Sequence, residues 1–492
     1  MKLSFIIFII LSIVYVKVSG ADNLKTKPNI IILFTDDHRY DGVHALGNKQ
    51  IKTPSLDKLI NNGVTFTNAY LQGANSAATC SPSRAQLLTG RGVFDIPKGN
   101  GRSFPESMTS IPMAFKDAGY YTFITGKSHN GPEASMRGFD FGAKLYGLTG
   151  GYYKPHFRLA YQDFREDGQY GKEHMYFVDG KNHDIKLTPL DDHLDHVGPH
   201  SSEIFAKAAV DFLEGYEKEQ PFLMYIAFHA PHDTRNAPQK FHEMYPPEKI
   251  KLPVNFLPEH PFDNGDLHIR DEELAPFPRT VEDTKKQLSD YYAIITHMDE
   301  QIGKILEALK KEGFDKNTII VFSSDSGLGM GSHGLFGKQN LYDDAGIHVP
   351  IVFCGPGIPK KQQKTDLCYS FDIFPTLCDL AGISIPESVK GISLEGSIRE
   401  EKTVNAREEL YFAYCSTQRA VRNKQYKLIE YCVDGAVHSQ FFDLKNDPYE
   451  TTDLSQMAEY AEKLKILKKS LNSHQLEEAD WGQTFWNNYL KN

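Results

Sequence analysis

The chain is short of several things that 492 residues could carry, and each shortage closes a route. It has no surplus of basic residues: 54 Lys and Arg stand against 64 Asp and Glu, for a formal charge of -10. A protein that grips nucleic acid by charge needs a basic surface, so that class of partner is excluded. A local cluster of Arg, Lys and metal can still bind an anion. Past the first twenty residues no apolar run is long enough to span a bilayer. Internal repeats and low-complexity segments are missing too. With 40% apolar and 24% charged residues, what remains suits a large domain with a buried core plus a smaller one.

The N-terminus runs Met1-Lys2, then LSFIIFIILSIVYV, then small residues ending at Gly20. One early charge, a short apolar stretch and a cleavage-like end read as a signal peptide over residues 1–20, so the mature chain is expected to be exported, periplasmic or secreted. No cysteine lies near the cleavage point, and nothing there suggests lipid attachment.

The stretch from Cys80 to Arg91, CSPSRAQLLTGR, organises the rest. Ser81 suits an N-cap, Pro82 the first helical position, and the helical run closes at Gly90. Cys80 would then stand at a helix N-terminus, where unpaired N–H groups and the dipole favour an anion, with Arg84 adding a fixed cation one turn on.

Four apolar stretches read as buried strands, and each empties into polar residues. Asn29 to Phe34 ends in Thr35-Asp36-Asp37-His38; Tyr120 to Thr125 ends in Gly126-Lys127-Ser128-His129. Pro221 to Phe228 ends in His229-Ala230-Pro231-His232-Asp233, and Asn317 to Phe322 in Ser323-Ser324-Asp325-Ser326-Gly327. Functional groups of open α/β sheets gather beyond the carboxyl ends of strands. Adjacent carboxylates repel one another and want a cation; the hard oxygens of Asp36, Asp37 and Asp325, with Cys and His sparse, favour Ca²⁺ over Mg²⁺. Helices are expected over 53–62, 111–118, 201–216, 290–311 and 371–380, with an extended surface excursion over 238–279. From about Phe139 to His200 the periodicity loosens; Tyr152, Tyr153, His156 and Arg158 suit a sugar subsite or the packing of an insertion. Past Glu400, strands over 409–414, 419–431 and 440–444 and a helix over 458–471 read as a small sheet with a docked helix.

In order, the chain shows a strand then DD, CxPSR with TGR, GKxH, PH, SDxG, GxHGxxGK, a VP strand, and YKL with DLxNDPxE. This succession resembles the formylglycine-dependent sulfatases of the alkaline-phosphatase-like superfamily, and among them the exported bacterial polysaccharide sulfatases. The resemblance implies an α/β fold, a large mixed and mostly parallel sheet flanked by helices, over 21–400, and a small C-terminal α+β subdomain with an antiparallel sheet over 401–492. It implies that a formylglycine-generating or sulfatase-maturating enzyme converts Cys80 to formylglycine, whose hydrate attacks sulfur while Arg84 steadies it. Asp36, Asp37, the matured Cys80, Asp325 and Ser326 would hold the metal. Lys127, His232, His333 and Lys338 would bind sulfate or substrate, His129 would help deprotonate the hydrate, and His232 would protonate the departing alcohol of a sulfated carbohydrate.

Two positions depart from that pattern. Ser326 stands where the family usually has Asn or His, and its shorter reach leaves room for a water beside the metal. His348, in GIHVP, stands where arginine is common, which points to an effect on packing or substrate preference. With Cys80 modified, five cysteines remain and at least one stays unpaired; 415 with 432 or 368 with 378 could bridge, and buried thiols fit equally. The alternatives to sulfate hydrolysis are a formylglycine phosphohydrolase and a non-catalytic sulfoglycan-binding protein.

Overall fold

The computed structural model describes residues 27–97, 104–131, 134, 137–147, 156, 160–162, 175–177, 199–399 and 407–491. Residues 1–20, Tyr152, Tyr153 and Arg158 lie outside them.

One ten-stranded sheet organises the larger part. In chain order its strands are β1 (Asn29–Asp36), β2 (Gly63–Tyr70), β4 (Tyr121–Lys127), β5 (Phe141–Tyr146), β6 (Ala160–Gln162), β7 (Met175–Phe177), β8 (Phe222–Pro231), β9 (Thr318–Ser324), β10 (Ile351–Cys354) and β11 (Gln362–Tyr369), with β3 (Gly73–Ala74) set apart. Across the sheet the order is β11-β2-β10-β9-β1-β8-β4-β5-β6-β7. The centre is parallel, β9, β1, β8, β4 and β5 all running one way, while β10 is antiparallel to both its neighbours.

The continuous apolar run of β1 is explained by burial on both faces. Ile31 and Leu33 enter a core under α1 (Pro54–Asn61), α4 (Ser201–Glu214) and α5 (Val281–Lys311), whereas Ile30, Ile32 and Phe34 enter the opposite core under α2 (Cys80–Thr89), α3 (Ile111–Asp117) and α6 (Ile373–Ala381). Each such side chain contributes about 1.5–3 kcal/mol of burial, which fixes the register of the strands whose ends form the site.

The second sheet holds β12 (Leu410–Tyr414), β13 (Gln418–Arg422), β14 (Tyr426–Val433) and β15 (Ala436–Asp443), in the order β15-β14-β13-β12-β3, with α7 (Ala461–Glu477) and α8 (Gln483–Tyr489) packed on it. Its edge strand β3 comes from the larger part: Gly73 and Ala74 pair in parallel with Ala413 and Tyr414. A side chain at Gly73 would meet the Ala413 carbonyl oxygen at 1.9 Å, so only glycine allows that approach.

Several local expectations change. Residues 419–431, read as one strand, are a hairpin, because Asn423 accepts from the Gln425 and Tyr426 amides and turns the chain between β13 and β14. The long helix begins at Val281, not Asp290: the Thr280 hydroxyl caps it by accepting from the Asp283 amide at 3.0 Å. Ser81 is not an N-cap. It lies inside α2, which starts at Cys80 after Thr79, and its hydroxyl donates to the His129 carbonyl at 3.0 Å. Strand β11, polar in sequence, was legible to no periodicity because it is an edge strand. All six cysteines are free thiols, so neither bridge forms.

Candidate active site

The carboxyl ends of β1, β4, β8 and β9 meet at one crevice, and α2 points its N-terminus into it. Asp36 is the last residue of β1; Asp37 follows with φ 63, a left-handed conformation that aspartate tolerates better than most residues. The β1–β8 pairing slips between Phe34 and Asp36 and the β4–β5 pairing between Thr125 and Gly126, with the surplus residues on β8 and β5, while β1 stays in register with β9 and β4 with β8. Gly126 is required there, since a Cβ would sit 1.9 Å from the Ala227 carbonyl oxygen. Lys127, next along, is thereby turned into the site.

The side chains form one contiguous cluster. Lys127 Nζ pairs with Asp36 Oδ2, which also accepts from His229 Nδ1 at 3.1 Å. Lys338 Nζ donates to Asp37 Oδ1 at 2.5 Å and to Cys80 Sγ at 3.1 Å. Arg84, fully buried, holds Asp325 Oδ2 through Nε at 3.0 Å and Nη2 at 2.9 Å, and donates from Nη1 to the Lys127 carbonyl at 2.9 Å. The Ser326 hydroxyl donates to Asp37 Oδ1 at 3.1 Å. His232 Nε2 lies 3.8 Å from Asp37 Oδ2, and its Nδ1 donates to the Asp233 carbonyl at 2.7 Å. His129, buried with φ 65, lies close enough to feel the charges of Lys127 and Asp36.

Burial works against every charge here, and the partners decide who keeps one. Burial pushes Asp36 up, but Lys127, His232, His229 and Arg84 together hold it well below the usual carboxylate range. Asp37 stays raised by burial in spite of Lys338, and Asp325 is pushed up to about 7 by burial and by Asp36. Burial, Asp325 and Asp36 raise the Cys80 thiol well above its usual value. Burial and then Lys127 keep His129 neutral; burial, Lys127 and Lys338 depress His232 well below its usual range against the pull of Asp233. Three carboxylates that cannot all ionise call for further positive charge.

The donor set fits a hard cation. One atom each from Asp36, Asp37, Cys80 and Asp325 falls within 4.8 Å of the others, and Asp36 Oδ1 is buried with no hydrogen-bond partner. Carboxylate and hydroxyl oxygens predominate, as Ca²⁺ or Mg²⁺ requires.

The family is settled by comparison. The sulfatase family profile matches residues 28–383, and the profile described as N-sulphoglucosamine sulphohydrolase, C-terminal, matches residues 331–477. An arylsulfatase of Clostridium perfringens is 31% identical over 496 residues, covering 94% of this chain and 98% of its own. The chain belongs to the sulfatase family. An N-acetylglucosamine-6-O-sulfatase of Bacteroides thetaiotaomicron is 29% identical over 527 residues, covering 92% of this sulfatase and 87% of its own length. A protein solved in complex with its substrate D-glucosamine-2-N,6-O-disulfate shares the fold, with a TM-score of 0.75, 24% identity, and coverage of 93% of this chain and 99% of that one.

Of the residues singled out in the sequence, Asp36, Asp37, Cys80, Arg84, Lys127, His129, His232, Asp325, Ser326 and Lys338 are brought together in this sulfatase. His333 stands apart. Its ring stacks on Tyr342 with centroids 3.7 Å apart and meets Asn255 Nδ2 at 2.9 Å, and it makes no hydrogen bond to the carboxylate cluster. His156 is fully buried, meeting Ser201 Oγ at 2.6 Å and the His232 carbonyl at 3.0 Å, so it packs behind the site and lines no open subsite. His348 stacks between Tyr40 and Tyr70, with centroids 4.0 and 4.9 Å away. His229, given no role by the sequence, contacts Asp36 directly; its place at the end of β8, three residues before His232, is the signal that could have found it.

Proposed function

We propose that this sulfatase removes sulfate from a sulfated carbohydrate through a formylglycine made from Cys80. One observation carries the reading: Cys80, three buried carboxylates and the ammonium groups of Lys127 and Lys338 share a single strand-end crevice. The carbohydrate is favoured by relatives named for N-acetylglucosamine 6-O-sulfate and by a fold neighbour bound to a sulfated glucosamine.

Asp36, Asp37, Asp325, Ser326 and the oxygen that maturation places at position 80 would hold the metal, calcium before magnesium because Ca²⁺ accepts an irregular oxygen shell. When bound, it supplies positive charge to the sulfate oxygens and the matured residue. Formylglycine supplies a hydrate hydroxyl as the acceptor of the sulfuryl group. Lys127 and Lys338 bind sulfate oxygens where negative charge grows, and Arg84 keeps Asp325 and the start of α2 in place. His129, kept neutral by burial and Lys127, takes the proton of the hydrate. Burial and the two lysines depress His232; the anionic ester adds negative charge beside it that favours its protonated form, and that imidazole is placed to pass a proton to the departing oxygen. In our reading residues 1–20 direct export to the periplasm or medium, a maturation enzyme modifies Cys80, and the mature chain divides into 21–400 and 401–492.

The test is the mass of the Cys80 peptide from a maturation-competent host, with sulfate and phosphate release from matched sugar esters before and after chelation. Aldehyde or its hydrate, with sulfate release lost on chelation and restored by Ca²⁺, is expected. Unmodified thiol without turnover would sink the reading in favour of a binding protein; faster phosphate release would make the enzyme a phosphohydrolase.

A further inference from the structure

The excursion over 238–279 does more than cover the surface. Asp271 and Glu272 are buried behind two groups of the site, and Arg270, its side chain 35% exposed, lies beside them. The Arg270 guanidinium forks onto the Asp233 carboxylate, Nη1 to Oδ2 and Nη2 to Oδ1 at 3.1 Å, and Nη2 also pairs with Asp271 Oδ1. Asp233 in turn carries His232, whose Nδ1 lies 2.7 Å from its carbonyl and 3.1 Å from its Oδ1. On the other side Asp271 Oδ2 accepts from Gln339 Nε2 at 2.8 Å, and Gln339 Oε1 accepts the Lys338 amide at 2.8 Å. Glu272, 2% exposed, accepts the Phe336 and Gly337 amides, each at 2.8 Å. Gln339 Nε2 also reaches the Ala77 carbonyl at 3.0 Å, three residues before Cys80.

These contacts make a continuous brace from His232 through Asp233, Arg270 and Asp271 to Gln339 and Lys338. We propose that Arg270, Asp271 and Glu272 are positioning residues that fix the placing of the proton donor relative to the sulfate-binding lysine and residue 80, an inference that rests on the function proposed above. A planar guanidinium can hold two carboxylates in one geometry, which an ammonium cannot, and a carboxylate taking two successive amides sets the path of the backbone that carries Lys338. As the S–O bond breaks, its electron pair stays on the departing oxygen, the proton comes from His232, and the sulfuryl group passes to residue 80. A misplaced donor therefore hurts basic leaving groups most, because an acidic phenol departs without help.

The experiment measures kcat and KM for the full-length, matured enzyme on a series of substituted phenyl sulfates from 4-nitrophenyl to unsubstituted phenyl. Arg270→Gln should lower kcat on phenyl sulfate by about 100-fold and on 4-nitrophenyl sulfate by less than about fivefold, with KM little changed, since small misplacements cost rates of this order. Asp271→Asn should steepen the series in the same sense, and Arg270→Lys should fall between. Melting curves confirm that each variant is folded, and the milder two carry the test if Arg270→Gln does not fold. An equal loss across the series, or no loss, overturns the brace. The unmutated enzyme is assayed on the sugar esters alongside: no sulfate release there sinks the proposed function and the brace with it, whereas release there without the leaving-group split in the variants sinks the brace alone.

Discussion

Two clusters of buried charge lie in this molecule, and they are completed in different ways. Beneath the small sheet, Asp343 takes Lys427 Nζ at 2.6 Å, Arg422 Nη1 at 2.6 Å and the Tyr70 hydroxyl at 3.2 Å, while Glu450 takes Lys427 at 2.7 Å and the Asp343 amide at 2.7 Å. Acid and base there pair directly: burial pushes Asp343 up but Lys427 and Arg422 hold it well below its usual range, and Glu450, raised to about 8 by burial and by Asp343, keeps Lys427 as its partner. At the strand ends Asp36 Oδ1 has no hydrogen-bond partner and only the Arg84 guanidinium, 3.9 Å away, as an ion pair, while Asp325 and Asp37 remain raised by burial. A closed network rivets two parts of a fold together; an incomplete one keeps binding capacity for something that arrives later. Residues of the YKL and NDPYE motifs, Lys427 and Glu450, therefore act as the fastening of the segment that follows Lys338.

The contrast can be broken at either cluster. The largest effect belongs to the site: Cys80→Ala should lower sulfate release by about 10⁴-fold or more, as loss of a nucleophile does, yet shift denaturant unfolding by no more than about 1 kcal/mol. Lys427→Met should do the reverse, costing about 3–5 kcal/mol of stability in urea unfolding because buried carboxylates lose a shared cation. Ser326→Ala should weaken calcium about tenfold, measured by calorimetric titration of the matured protein, leaving the unfolding midpoint of the metal-free protein unchanged. The smallest is His348→Ala, expected to cost about 1 kcal/mol through loss of its stacking between Tyr40 and Tyr70, with kcat unaffected.

Much of the site could be read before any coordinates, because its residues sit at the ends of apolar runs. Asp36, Lys127, His232 and Asp325 each follow a stretch whose composition marks a buried parallel strand, and α/β topology places such ends on one edge. The helix at Cys80 was legible from Pro82 and Gly90, though its first residue was misjudged because Ser81 spends its hydroxyl on His129. The brace was not legible. Arg270, Asp271 and Glu272 lie in a proline-rich polar stretch with no period, and their partners Asp233, Gln339 and Gly337 are between 37 and 68 residues away. Strand β3, two residues long, was equally silent, since it exists only where Ala413 and Tyr414 offer an edge.

By itself the sequence determined the fold class, the strand-end origin of the charges and the membership in the sulfatase family. Hydrophobic period, glycine, proline and motif order are local signals, and local signals survive in a string of letters. Tertiary structure alone decided which charges are complete and which are not. That Lys427 closes on Asp343 and Glu450, that His333 stacks on Tyr342 outside the cluster, and that Arg270 ties His232 to Lys338 depend on side chains far apart in the chain meeting within 4 Å. Electrostatic partners are chosen by distance in space and by exclusion of water, and neither is written into spacing along the chain.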